Sequence, residues 1–430
     1  MHYVSTRDQD NKKYTLEEAL MSGLAADGGL IVPSSMPTIT IDRSLSLLNY
    51  PDFCAHVLRP FFASSVLLPH LPSITQAAFN FPLTCTALNE NTQLLELYHG
   101  PTLSFKDFGA RFLASCLTAL PLKDSTRILV ATSGDTGSAV ACAFNDFPDV
   151  RVVVLYPKDG VTERQKKQMT GWSEHILPIE YHGTFDDCQE IVKSTIAELQ
   201  FIGVSVNTAN SINIGRLLPQ ICYYAYISVH THSPGGTNFV VPSGNLGNAT
   251  AAFWARSIGF PINNIKIACN ANHTLTDYLH TGIYTPHASL PTLANAMDVG
   301  NPSNIERLFH LYPQWSDFKN NISAISVDDA AIAHTIQMVF KKHKKVLCPH
   351  TAAGIFYRLH LSSEDQWCVA ATAHPAKFYE VFFDLIDQPI DIPEALSLML
   401  SAPVEHIKQV GDVQSAKKMI HQHFLPATVS

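Results

Sequence analysis

The stretch Arg127-Ile128-Leu129-Val130-Ala131-Thr132-Ser133-Gly134-Asp135-Thr136-Gly137-Ser138-Ala139-Val140-Ala141-Cys142-Ala143-Phe144 decides the fold class. Residues 127–132 are an apolar run of strand type, 133–137 a polar loop with two glycines, and 138–144 a helix of small residues. A strand without polar alternation is buried on both faces, as in a parallel sheet covered by helices. The pattern continues outward. Residues 150–156 read as a strand, 162–169 as a helix, 176–180 as a short strand, 185–199 as an amphipathic helix and 204–207 as a strand. It resumes with a strand at 238–242, a loop at 243–248, a helix at 249–257, a strand at 265–269 and a last buried strand at 367–372. This alternation predicts an α/β architecture. Ser233-Pro234-Gly235-Gly236-Thr237 reads as a turn before a strand, and Ala25-Ala26-Asp27-Gly28-Gly29-Leu30 as a turn within a less regular first 90 residues.

The chain has 430 residues, 46% hydrophobic and 15% charged. That length suggests roughly two or three domains, and the low charge hints at surface buried between domains or subunits. With a net charge of −8, and Lys341-Lys342-His343-Lys344-Lys345 as the longest basic run, a solvated helix end explains the basic residues and nucleic-acid binding is not expected. No apolar run is long enough for a membrane span, and Met1 to Asp8 contain no signal core. The nine cysteines are scattered without a C-x-x-C pair, which argues against disulfides or zinc and for a reducing cytoplasm. The His-x-His pairs at 230–232 and 421–423 lack further ligands at usable spacing. They read as surface residues, and no metal is expected.

Ligands of open α/β sheets bind at the carboxyl ends of strands, on loops that lead into helices. Three loops have that position and an unusual composition, Ser133 to Gly137, Ser243 to Asn248 and the residues around Thr372, and two further segments carry candidate groups. In His99-Gly100-Pro101-Thr102-Leu103-Ser104-Phe105-Lys106-Asp107-Phe108-Gly109 one lysine sits at a helix start, where the dipole and desolvation lower an ammonium pKa. Such a lysine can form a Schiff base and then shuttle protons; the alternative is a surface lysine beside a turn. Ser243-Gly244-Asn245-Leu246-Gly247-Asn248 has glycines that let backbone N–H groups turn inward at a helix N-terminus, a cradle for a small phosphate. It carries no lysine and is not a Walker-type loop; the alternative is a plain strand-to-helix turn. Ser133 to Gly137 suits a carboxylate, with Asp135 as an N-cap the simpler reading. Asn210-Ser211-Ile212-Asn213-Ile214-Gly215-Arg216 ends in an arginine fork for phosphate or carboxylate, or is a capped helix with a surface arginine. A tuned lysine, a phosphate cradle and a carboxylate loop together suggest pyridoxal phosphate chemistry on an amino acid.

These residues resemble the threonine synthase family, in the tryptophan-synthase-β-like class of pyridoxal phosphate enzymes. Besides the segments above, the resemblance rests on Tyr3 to Arg7, Gly23 to Leu30, Asn207 to Arg216, Asn295 to Asn304, Pro349 to Gly354 and Thr372 to Phe378, and it spans nearly the whole chain. Two departures stand out. Leu246 replaces a usual Phe, and Cys348 stands where an acidic residue is common. The resemblance implies a fold type II enzyme: two parallel-type α/β domains with the cofactor between them, plus an N-terminal extension. Its implied boundaries are 1–90 for the N-terminal region, 91–105 and 220–430 for the large domain, and 106–219 for a small mobile domain.

The implied reaction is conversion of O-phospho-L-homoserine and water to L-threonine and phosphate by γ-elimination and β-addition, the last step of threonine biosynthesis. Lys106 would hold pyridoxal 5′-phosphate covalently and then move protons. Gly244, Asn245, Leu246, Gly247 and Asn248 would bind its phosphate, Asp135 would contact the ring hydroxyl and Thr372 the ring nitrogen. Thr132, Ser133 and Thr136 would receive the substrate carboxylate, and Asn213, Arg216 and Lys158 the substrate phosphate. The rivals are a phospholyase or dehydratase that releases 2-oxobutyrate, and an inactive binding homologue. No regulatory domain is evident, and no feature marks a particular oligomeric state.

Overall fold

The computed structural model describes residues 1–8, 11–121, 126–231, 233, 235–401 and 407–425. Its strands are β1 (Tyr3–Ser5), β2 (Ile31–Pro33), β3 (Thr84–Asn89), β4 (Thr92–Glu96), β5 (Thr126–Ala131), β6 (Val150–Pro157), β7 (Ile176–Tyr181), β8 (Thr237–Pro242), β9 (Ile262–Cys269), β10 (Ser323–Ser326), β11 (Trp367–Ala371) and β12 (Lys408–Val410). They form a six-stranded sheet of order β10-β9-β8-β11-β4-β3, a four-stranded sheet of order β12-β7-β6-β5 and a β1-β2 pair. Only β3 runs antiparallel in the large sheet, and the four-stranded sheet is wholly parallel. Every residue of β8 and β11 is buried, as the apolar runs 239–241 and 367–371 require of strands covered on both faces.

The carboxyl ends of the neighbouring strands β4, β11 and β8 deliver three loops to one place: residues 97–105, Thr372 and its successors, and Ser243 onward. The loop after β5 enters the same region from the four-stranded sheet. The N-terminal region is tied in by side chains. Asn207 and Asn213 donate Nδ2–H bonds to the Leu20 carbonyl at 2.7 and 3.0 Å, and Arg307 reaches the Ile31 carbonyl.

Two expectations are corrected. Residues 204–207 form no strand; one parallel bridge joins Asn207 to Ile128. The Asn207 side chain is drawn to Leu20 and Asn213, so the chain leaves the sheet edge after one pairing. The C-terminal segment does not lie wholly with the larger sheet. β12 pairs with β7, and Val410, Ala416, Ile420 and Phe424 bury against Leu129, Val153, Leu155 and Ile179. Apolar burial thus recruits β12 and the helix Val413–Phe424 to the four-stranded sheet. In the expected 233–237 turn, Gly235 and Gly236 have positive φ, while Pro234, like His232 of the 230–232 pair, lies outside the described residues.

Candidate active site

Lys106 is the first residue of the helix Lys106–Ala119. The loop before it is folded by Asp107, whose carboxylate accepts from the Thr102 N–H at 2.9 Å and the Thr102 hydroxyl at 2.6 Å. Gly100 is needed there, since a Cβ would lie 2.5 Å from Asp107 Oδ2. The Phe105 N–H donates to the Thr372 carbonyl at 2.8 Å, which fixes the lysine loop to the end of β11. Lys106 Nζ donates to Thr136 Oγ1 at 3.1 Å. Burial lowers its pKa to about 8, with Asp135 opposing and the charges of Arg216 and Lys377 reinforcing the shift.

Asp135 opens the helix Asp135–Phe144. Gly134 has φ +126°, and a Cβ there would lie 2.4 Å from Gln165 Cδ. The Thr132 hydroxyl accepts from the N–H groups of Gly134 and Gly137 at 2.9 and 2.8 Å, which shapes the turn. Asp135 Oδ1 lies 2.9 Å from the ammonium of Lys377 and accepts from Gln165 Nε2 at 3.1 Å. Burial would raise this carboxyl, but Lys377, His350 and Lys106 outweigh it and hold its pKa near about 2. Lys377 is fully buried and also donates to the Thr102 carbonyl at 2.7 Å. His350 Nε2 accepts from the Ala296 N–H at 3.1 Å, and burial lowers the imidazole to about 4, so it is neutral.

The Ser243–Asn248 loop lines a cleft. Leu246 is left-handed at φ +59°, a strained setting for a leucine that turns successive N–H groups to one side. No protein acceptor among the described residues takes the N–H of Gly244, Asn245 or Leu246. A Cβ on Gly244 would lie 2.5 Å from Met297 Cα. Asn245 accepts from the Ser303 N–H at 2.6 Å and donates to Ser211 Oγ at 2.7 Å. Asn304 donates to the Asn245 carbonyl at 2.9 Å and is itself held by Arg307 at 2.6 Å. Asn248 Oδ1 accepts from Tyr223 and Tyr224.

One cleft is lined by Lys106, Asp135, Arg216, the 243–248 loop, His350 and Thr372. Arg216 is buried, donates Nη1–H to the Ala209 carbonyl, and fits because Gly109 opposite has no side chain. Burial lowers its pKa to about 10, and Asp107 only partly opposes this. Three expected substrate contacts do not reach this cleft. The Asn213 amide is spent on Leu20, Asn207, Thr208 and the Gly215 N–H. Lys158 is exposed at the end of β6. Thr132 uses its hydroxyl within its own turn. Ser133 and Thr136 are partly exposed beside the helix N-terminus, with Thr136 on Lys106. Lys377, His350, Gln165 and Ser211 were not anticipated as site residues. Lys377 and His350 lie within quoted motifs, but spacing alone does not show a lysine turned inward. Cys348 accepts from the Thr351 N–H at 3.4 Å, the N-cap duty an acidic residue would also perform.

Residues 80–371 match the family model for pyridoxal-phosphate dependent enzymes, and residues 2–79 match the threonine synthase N terminus. The chain is 34% identical to the threonine synthase of Escherichia coli over 422 residues, covering 96% of this chain and 98% of that one. It is 32% identical to the threonine synthase of Saccharomyces cerevisiae, covering 87% of each. The E. coli threonine synthase structure superposes with a TM-score of 0.92 at 33% identity, covering 98% of this chain and all of that one. The PLP-bound threonine synthase of Brucella melitensis superposes at 0.90 with 29% identity, covering 99% of this chain and all of that one. With both family segments matched and the relatives covered over nearly their whole length, this chain belongs to the threonine synthase family of pyridoxal-phosphate-dependent enzymes.

Proposed function

We propose that this protein is a threonine synthase that converts O-phospho-L-homoserine and water to L-threonine and phosphate. The observation that carries the reading is a pair of anion sites beside Lys106: the N–H cradle of residues 244–248 and the buried guanidinium of Arg216, which no carboxylate among the described residues contacts. The cradle fits a phosphate, because its glycine closes on Met297 and its donors face no protein acceptor. When bound, pyridoxal 5′-phosphate supplies an electron sink for charge that develops beside the amino group.

Lys106 holds the cofactor and then moves protons at Cα and Cβ of the substrate. Its pKa of about 8 keeps amine and ammonium in comparable amounts at mildly alkaline pH, as proton transfer in both directions requires. Asp135 stays ionised because Lys377 faces it and would meet the ring hydroxyl of the bound cofactor, and Thr372 would offer the ring nitrogen a neutral hydroxyl. Ser133 and Thr136 receive the substrate carboxylate at a helix N-terminus, while Arg216 receives the leaving phosphate. Residues 106–219 act as a mobile small domain, joined by β12 and the last helix. Closure is supported by bonds from the helix Glu163–Thr170 and its cap to the opposite side: Thr162 Oγ1 to the Lys377 carbonyl at 3.1 Å, and Asn295 Nδ2 to Gln165 Oε1 at 3.2 Å. A closed cleft admits water only after elimination.

Among the described residues no helix is long and apolar enough to cross a membrane, and we place the enzyme in the cytoplasm, where its cysteines stay free. The test is incubation of the purified protein with O-phosphohomoserine. Equal amounts of phosphate and threonine are expected; phosphate with 2-oxobutyrate would show that water never adds.

A further inference from the structure

Outside the cleft, we propose that His273, Asp277 and His287 form a binding site for one divalent transition-metal cation of the zinc type. Their ligand atoms all lie within 4.8 Å of one another. His273 Nδ1 and His287 Nε2 converge on a single oxygen, Asp277 Oδ2, at 2.6 and 3.3 Å. Two imidazoles and one carboxylate suit a borderline cation; calcium and magnesium prefer oxygen ligands alone. Zinc bonds of about 2.0–2.1 Å in tetrahedral geometry place neighbouring ligand atoms about 3.3 Å apart. The His287–Asp277 edge already has that length, and the His273–Asp277 edge needs to widen by less than an ångström. The side chains are 45%, 40% and 43% exposed, so they can rotate, and the solvent side offers the ion an entry path and a fourth, water ligand.

The backbone that carries these ligands is set independently of any ion. His273 and Asp277 are four residues apart at the start of the helix Thr274–Thr281, on one face. Thr274 Oγ1 donates to the Gly300 carbonyl at 2.7 Å, and the His287 N–H donates to the same carbonyl at 3.2 Å. Both ligand-bearing segments are thus anchored on one acceptor. Gly300 is packed so closely that a Cβ there would lie 1.9 Å from the His287 carbonyl oxygen. A bound ion would staple the helix Thr274–Thr281 to residues 283–304, the segment whose Asn304 braces the cofactor cradle.

The test uses the holoenzyme after treatment with chelator and removal of the chelator. Titration with zinc against a chromophoric chelator should show one equivalent that His273→Ala and His287→Ala each lose, or weaken at least about tenfold. The cofactor absorption of the variants should stay unchanged. Cobalt should give the visible bands of a four-coordinate site without sulfur charge transfer, which separates this site from the free cysteines. Identical titrations of wild type and both variants, or a cobalt spectrum dominated by sulfur, would overturn the proposal.

Discussion

Replacing Lys377 by methionine tests how the charge in the cleft is arranged. The side chain is fully buried, 2.9 Å from Asp135 Oδ1, and its only other partner among the described residues is the Thr102 carbonyl. Removing one member of a buried ion pair leaves the other unpaired and costs about 3–5 kcal/mol. Asp135 sits near about 2 against an ordinary 3.8, a depressed carboxyl whose stabilisation is present above the ordinary value and is lost as pH falls through the folded one. Without Lys377 burial dominates and raises the carboxyl. The deficit of Lys377→Met should therefore be largest at high pH, begin to narrow as pH falls through the variant's raised carboxyl pKa, above the ordinary 3.8, and go on narrowing down to about 2. Urea unfolding of the cofactor-free protein reads this directly. The double variant Asp135→Asn with Lys377→Met should recover most of the loss, because a neutral pair needs no counter-charge. A double variant no more stable than Lys377→Met, or a deficit independent of pH, would refute the reasoning.

Gly244→Ala should sharply weaken cofactor binding, because its methyl meets Met297 Cα at 2.5 Å, whereas Gly247→Ala, whose nearest neighbour is Asn304 Nδ2 at 3.4 Å, should retain it; equilibrium titration with pyridoxal 5′-phosphate checks both. Arg216→Ala should lower kcat/KM for O-phosphohomoserine at least about tenfold, the value of one charge-assisted hydrogen bond, with a smaller loss for an analogue lacking the phosphate. Equal losses would make Arg216 a structural residue. Cofactor association with the apoprotein should quicken as pH rises to about 8 and then level off, since the amine is the nucleophile. In Asp135→Asn that rise should move to lower pH, because Asp135 is the group that holds the Lys106 ammonium up.

The parallel architecture was legible because the strands carry continuous apolar runs, residues 152–155 in β6 and 239–241 in β8, and such runs report burial on both faces directly. The strand–loop–helix junction at 243–248 was legible because its two glycines lie between an apolar run and a run of small residues. The C-terminal return of β12 to the four-stranded sheet was not, since a three-residue strand has no period and its partner β7 lies more than two hundred residues away. Lys377 escaped for a different reason: only the fold brings residue 377 opposite residue 135. Asn213 misled in the opposite way, as an amide in a ligand-rich loop reads the same whether it meets substrate or the Leu20 carbonyl. Local sequence thus shows which groups are present, and long-range packing decides which way they face.

Borohydride reduction of the holoenzyme, followed by peptide mapping, tests the central claim most directly. Lys106 and Lys377 both approach Asp135, yet only Lys106 opens onto the cleft, while Lys377 is locked between Asp135 and Thr102. The account predicts that the reduced cofactor is found on Lys106 alone. A tag on Lys377, Lys158 or any other lysine would contradict it.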